Sequence, residues 1–285
     1  VNYDGWPDLV IAGDFSTSRL FWNNGDGTFV DVTVAAGVGT DENGMGSAIG
    51  DLDGDGHLDW FVTSIRDKNA TCDTAGCAWG YSGNRLYRNR GNGTFEDATD
   101  AFGVRDGFWG WGAAFLDYDN DADLDLIMTK GVDFPSDDRD TQYNSDPMRL
   151  WRNQGHSPAS EVSESAGVTD DGSGKGLLTF DFDRDGDQDV FVVNNTAHPR
   201  LYRNDGGNQS DWLRVKTVGR SQKQALGARV TVIPLRGGPS QTREIDAGSH
   251  FLGQSEPVAH SDWDRVPDPL PRFKSAGRGV SRCKR

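Results

Sequence analysis

Apolar and polar positions along this chain follow a pattern that recurs. Four short runs of aliphatic, aromatic and β-branched residues, Leu9-Val10-Ile11, Trp60-Phe61-Val62, Leu126-Ile127-Met128 and Val190-Phe191-Val192, each come directly after a cluster of aspartates. Runs of this length bounded by turn-forming residues predict strands, not helices. A second pattern follows each run, as Arg19-Leu-Phe-Trp-Asn23, Asn84-Arg-Leu-Tyr-Arg-Asn89, Met148-Arg-Leu-Trp-Arg-Asn153 and Arg200-Leu-Tyr-Arg-Asn204. In the first two copies an Asn/Asp-Gly turn leads on to a strand at Phe29 or Phe95, which predicts a hairpin. A linker such as Ala36-Gly37-Val38, Phe102-Gly103-Val104 or Ala166-Gly167-Val168 comes next. After it, a small-residue strand such as Gly46-Ser-Ala-Ile-Gly50 or Gly112-Ala-Ala-Phe-Leu116 enters the following aspartate cluster.

The clusters read DxDxDGxxD. The first full copy is Asp51, Asp53, Asp55, His57 and Asp59; the second is Asp117, Asp119, Asp121, Asp123 and Asp125, with Ala122 in place of the glycine; the third is Asp181, Asp183, Asp185, Asp187 and Asp189. A partial copy opens the chain with Asp4 and Asp8. Carboxylates at alternate positions of a tight loop, with glycine at the sixth, suit a hard, oxygen-seeking cation, and calcium is the expected cofactor. At position seven, occupied by His57 in the first copy, the backbone carbonyl is the expected ligand. An isolated Asp-rich loop is often only a solvated turn; four copies in one register argue against that reading. The opening copy lacks its first ligand and is the weakest site.

Aligned on the ninth position, Asp8, Asp59, Asp125 and Asp189 lie 51, 66 and 64 residues apart, a period that belongs to blades. Four strands per repeat in an antiparallel meander predict an all-β chain, an incomplete β-propeller of four-stranded antiparallel blades over residues 1–209. The opening copy lacks its first strand and the last copy its fourth. A meander also predicts that the Asp loops and the Asn-Gly turns share one face, and the long loops at 64–83 and 130–147 the other. Trp79, Tyr81, Trp109 and Trp111 then form a candidate ligand face for a protein or a glycan, against the alternative that these rings pack blades together.

These repeats resemble the FG-GAP/VCBS type found in integrin α-chain propellers and many bacterial secreted proteins. Beyond residue 209 the pattern changes to Trp212–Val218, Leu226–Val232 and Gln241–Gly248, a small β domain over 210–260. The run Gly227–Val232 with Gly248-Ser-His-Phe-Leu-Gly-Gln-Ser-Glu-Pro-Val-Ala-His260 resembles the ASPIC/UnbV domain that follows FG-GAP repeats in the cartilage acidic protein family. The resemblance implies a secreted or extracellular protein, periplasmic or surface-bound in a bacterium, that acts in binding or adhesion. After His260 the family pattern stops. Residues 261–285 have three prolines and a net positive charge, which predicts a disordered or out-of-frame tail.

Composition alters this picture little. The 285 residues carry a net charge of −15, which argues against nucleic acid, although much of the acidity lies in the loops. No apolar run is long enough to span a bilayer. The chain begins with Val inside a motif and is expected to be a fragment. Cys72 and Cys77, five residues apart in a polar insertion, suit a short-loop disulfide and an oxidising compartment, against the alternative of two unpaired thiols. The five histidines are scattered and none sits in a nucleophile motif, and carboxylates that hold a metal are not free to act as general acids. The chain therefore reads as a binding protein. The alternative is an extracellular hydrolase or lyase whose catalytic residues lie outside this segment. Oligomeric state is not legible.

Overall fold

In a computed structural model, the apolar runs that follow the Asp loops are the second strands of successive antiparallel sheets. The structure describes residues 1–70, 72–73, 76–77, 80–135, 141–144, 146–155, 157–206, 211–219, 223–234, 240–246, 248, 250–263, 274–276 and 280–281. Blade 1 is β1 (Leu9–Ile11), β2 (Arg19–Asn23) and β3 (Phe29–Asp31). Blade 2 is β4 (Ser47–Gly50) and β5 (Asp59–Val62), then β8 (Arg85–Asn89) and β9 (Phe95–Asp97), with the small hairpin β6 (Cys72–Asp73) and β7 (Gly76–Cys77) inserted between its middle strands. Blade 3 is β10 (Gly110–Leu116), β11 (Asp125–Lys130), β12 (Arg149–Arg152) and β13 (Ser160–Glu161). Blade 4 is β14 (Gly174–Phe180), β15 (Asp189–Asn194) and β16 (Arg200–Tyr202). The fold is all-β and propeller-like, with the three-stranded blades at the two ends, as the repeat pattern predicts.

Alternation along each second strand makes the arc. Trp60 and Val62 pack with Leu20 of blade 1, while Phe61 between them packs with Ala113, Leu126 and Met128 of blade 3. Ala114, Leu116 and Ile127 then meet Leu177, Val190 and Val192 of blade 4. A strand buried on both faces reads as a continuous apolar run, which is why β5 and β11 lack the usual polar alternation. Inner strands carry small residues because neighbouring blades come close there. A Cβ on Gly46 would run into the Trp111 carbonyl, and one on Gly50 would lie 2.9 Å from the Phe115 ring.

The linkers contain two single-turn helices that the strand pattern does not announce, α1 (Thr33–Ala36) and α2 (Thr99–Phe102). Each ends on a glycine in the left-handed region, Gly37 at φ 78° and Gly103 at φ 74°, the usual way a helix terminus satisfies its last carbonyls. Asp31 and Asp97 fix the entry by accepting from the backbone and hydroxyl of Thr33 and Thr99.

The C-terminal unit comprises β17 (Asp211–Val215), β18 (Thr217–Val218), β19 (Arg229–Val232), β20 (Gln241–Glu244), β21 (Ala259–Trp263), β22 (Lys274–Ala276) and β23 (Val280–Ser281). β17 pairs with β21, β19 with β20 and β22, and β18 with β23. Strand β21 thus runs across the 260/261 boundary, and two short pieces of the expected tail lie against β18 and β19. The rest of that tail falls outside the described residues. Val215, Val230, Val232, Ile245 and Ala259 form this unit's own core.

The segment 250–258 leaves that core and lies, as an axial segment, along the inner strands of blades 2, 3 and 4. His250 exchanges backbone hydrogen bonds with Ser47, and its Nδ1 donates to the Ala113 carbonyl at 2.5 Å. Phe251 meets Trp111 edge-on, and Ser255 accepts the Thr179 amide at 2.9 Å.

Candidate metal centres

Each Asp loop is shaped by two residues in the left-handed region. They are Gly54 and Gly56 in the first loop, Asn120 and Ala122 in the second, and Arg184 and Gly186 in the third. Glycine reaches this region at no steric cost, whereas an L-residue pays roughly 1–2 kcal/mol. Ala122, at φ 81°, is therefore strained at the position where the other two loops carry glycine, and Arg184, at φ 67°, bears a like cost at the fourth position of the third loop. The backbone turned this way points amides inward: Gly56 N donates to Asp51 Oδ2, and Asp121 N and Ala122 N donate to the two oxygens of Asp117.

Three aspartates in each full loop bring carboxylate oxygens within 4.8 Å of one another: Asp51, Asp53 and Asp55; Asp117, Asp119 and Asp125; Asp181, Asp183 and Asp189. No such group forms around Asp4 and Asp8 among the described residues. Asp4 instead accepts from Trp6 N and the Asn2 side chain, and Asp8 accepts Asn23 N at 3.0 Å.

The ninth-position aspartates also hold the blade together. Asp59 accepts Leu52 N and Asn89 N, Asp125 accepts Tyr118 N and Asn153 N, and Asp189 accepts Phe182 N and Asn204 N, all between 2.8 and 3.0 Å. Position seven turns its side chain away from the cluster in the first and third loops. His57 stacks on Tyr3 at 5.1 Å, and Asp187, fully buried, accepts from Asn120 of the neighbouring loop.

The residues fit a cation. Asp181 is 5% exposed and Asp51 3% exposed. Neither oxygen of Asp181 accepts a hydrogen bond, with the Arg214 guanidinium 3.5 Å from Oδ2, and Oδ1 of Asp51 and of Asp119 likewise lack a donor. A buried carboxylate without donors is costly unless a positive charge supplies them. Burial, with the neighbouring carboxylates adding to it, pushes Asp51 up to about 6, and Asp59 and Asp125 up to about 8, so the ion-free loops resist full ionisation. Only oxygen ligands converge, the donor set that hard divalent ions take.

Of the residues expected on a ligand face, Tyr81 is exposed, with the Arg66 guanidinium 5.9 Å from its ring centre. Trp109 packs edge-on against Phe134 and Tyr143, and Trp111 donates to the Gly131 carbonyl with Lys175 over its ring at 3.7 Å. These two rings brace the long loops and the axial segment. Trp79 lies outside the described residues. Cys72 and Cys77 stand directly opposite each other in the β6–β7 ladder, and their side chains lie outside the described residues.

Two sets of residues escaped the sequence reading. The Asn that closes each Leu-aromatic strand was read only as a turn former, yet Asn153 donates both to Leu124 O of its own loop and to Leu52 O of the preceding blade's loop. Asn89 does the same to Leu58 O and Val1 O, and Asn204 reaches back to Tyr118 O. Its recurrence beside the ninth-position Asp was the available signal. The second set is Arg214, Arg229 and Arg243 of the C-terminal unit, each of which contacts one Asp loop. His250 Nε2 and Ser255 Oγ lie 2.8 Å apart. Ser255 Oγ also accepts the Thr179 amide and lies 3.0 Å from its hydroxyl, a network that anchors the axial segment.

The chain matches the FG-GAP-like repeat family over residues 1–62 and 73–128 and the ASPIC and UnbV family over 218–261. It is 29% identical over 261 residues to cartilage acidic protein 1 of Homo sapiens and of Mus musculus, and 30% identical over 263 residues to that of Xenopus tropicalis. Each alignment covers 89% of this chain and 36–37% of the relative. FG-GAP repeats followed by an ASPIC/UnbV segment, homologous to cartilage acidic protein 1, are thus what the residues spell out. The described residues contain no helix long and apolar enough to cross a membrane.

Proposed function

We propose that this chain is an extracellular, calcium-stabilised propeller module that binds a protein or glycan partner and is not itself a catalyst. One observation carries the calcium reading: in each full loop three aspartates converge, and the buried Asp181 and Asp51 retain oxygens with no hydrogen-bond donor. Calcium would be held by Asp51, Asp53 and Asp55, by Asp117, Asp119 and Asp125, and by Asp181, Asp183 and Asp189. It would supply positive charge between carboxylates that otherwise repel, and so fix the turns on which the second strand of each blade begins.

The extracellular setting rests on similarity to a protein named for cartilage and on the repeat type. The binding role rests on what the loops are built for. Their acids serve as ligands and as backbone anchors, and the Ser255–His250 pair is committed to packing. Calorimetric titration of the chain with calcium chloride tests the metal reading, and absence of heat at millimolar calcium would sink it. A glycan and matrix-protein binding screen with and without calcium tests the partner class, with Tyr81→Ala as the first surface variant; turnover of any polysaccharide would replace binding with catalysis.

A further inference from the structure

The C-terminal unit sends one arginine to each Asp loop. Arg214, on β17, lies 3.5 Å from Asp181 Oδ2, and its other nitrogen grips both oxygens of Glu256 at 2.7 and 2.8 Å. Arg243, on β20, lies 3.9 Å from Asp117 Oδ2, donates to the Ala122 carbonyl at 3.4 Å and to the His260 carbonyl at 3.1 Å, and its charge is also felt at Asp51. Arg229, on β19, covers the Tyr3 ring at 4.4 Å and donates to the carbonyl of Gly56. All three are partly buried. Their position is set by the axial segment, which fixes the unit against the inner strands through the Ser47–His250 and Thr179–Ser255 contacts.

We infer that the C-terminal unit and calcium compete for the Asp loops, so that Arg214 and Arg243 act as resident cations that weaken metal binding while the unit is docked. This inference rests on the calcium reading above. The opposition is electrostatic. Calcium takes carboxylate oxygens at about 2.4 Å, so any ion on Asp181 Oδ2 stands within roughly 6 Å of the Arg214 nitrogen, and the same sum at Asp117 gives a slightly longer limit. Two cations sharing one carboxylate oppose each other, more strongly where water is excluded. Coupling between two binding events is reciprocal. Calcium that fills the loops at Asp117 and Asp181 therefore loosens the grip of β17 and β20 on the propeller, and whatever releases the unit tightens calcium. Glu256 and His260, which hold Arg214 in place with a 3.0 Å contact of their own, belong to the same latch.

The test is calorimetric titration of the whole chain with calcium chloride at low and high salt. Arg214→Gln and Arg243→Gln should each tighten one class of sites, roughly fivefold, within the range typical of coupled sites. Arg214→Lys and Arg243→Lys, which keep the charge, should stay within about twofold of the wild type. Added sodium chloride should narrow the gap between wild type and the Gln variants, since screening acts on the repulsion. If the Gln variants fold poorly, Arg214→Met and Arg243→Met keep the aliphatic packing and replace them. Weaker or unchanged calcium binding in the neutral variants overturns the competition, as does the same tightening in the Lys variants. A wild type that binds no calcium removes the underlying reading instead, so the two failures are distinct.

Discussion

Replacing Asn153 by alanine removes the side chain that joins blades 2 and 3. Asn153 is 2% exposed, donates to Leu52 O at 2.8 Å and to Leu124 O at 3.2 Å, and accepts Gly155 N at 3.2 Å. A net value near 1 kcal/mol per bond gives a loss of about 3 kcal/mol, at the upper end because the carbonyls left behind are buried. For a domain of this size, that lowers the melting temperature by roughly 6–12 °C. The backbone amide of Asn153 still donates to Asp125 Oδ1 at 2.9 Å, so the metal-side carboxylate keeps its orientation. Urea unfolding followed by tryptophan fluorescence should therefore show the same loss in saturating calcium and in chelator, with calcium affinity unchanged. Asn204→Ala is the control: it loses one cross-blade bond and the exposed bond from Gly206 N, in a partly open site, for about 1–2 kcal/mol. A loss at Asn153 no larger than at Asn204, or one confined to the chelated protein, would refute the role assigned to this side chain.

Other consequences are more local. Ala122→Gly should stabilise the second loop by about 1 kcal/mol, because the position is left-handed at φ 81°, as read from the urea midpoint; no gain would mean that the loop relaxes without strain. Gly186→Ala should do the reverse by more than that, since its Cβ would meet the Trp212 ring. Chelation of a protein held at a hundredfold the calcium dissociation constant should remove about 2.7 kcal/mol per site, with Asp183→Ala reproducing one site's share in a thermal melt, and an unchanged melt in excess chelator would contradict it. Lys175 is pushed by burial from 10.5 down to about 8. Its ammonium thus costs stability fully below pH 8, and the cost fades as pH rises towards 10.5. Lys175→Met should gain about 1 kcal/mol at pH 7, discounted for solvent screening and for the Trp111 and Gly131 contacts, and little at pH 10.5; a gain independent of pH would point to packing alone.

The sheets were legible because their signals are local. The apolar triplets after each loop, the small residues of the inner strands and the turn asparagines lie within a few positions of one another, and each obeys a period or a steric limit that a single repeat can display. The two short helices were less so, since Thr33–Ala36 and Thr99–Phe102 are too brief for a helical period to show. Trp109 and Trp111 illustrate a different limit. Both fit an aromatic cluster by sequence, and their partial burial against Phe134, Tyr143 and Phe251 depends on where distant loops return.

The arginines mark the furthest reach of that limit. In sequence Arg214, Arg229 and Arg243 are polar positions on alternating strands, where the ordinary reading is a solvated face. They meet Asp181, Asp117 and the loop of Gly56 because the segment 250–258 is laid along the inner strands and carries the unit with it. That placement depends on a small residue: Gly253 passes where a Cβ would come within 2.9 Å of the Leu177 carbonyl. Gly253→Val should therefore act on the metal loops at a distance. By holding the segment away from β14 it withdraws Arg214 and Arg243 together, and calcium affinity should rise as it does in the neutral arginine variants, without any change in a ligand. A Gly253→Val protein that folds and binds calcium as the wild type does would separate the docking of the axial segment from the loops.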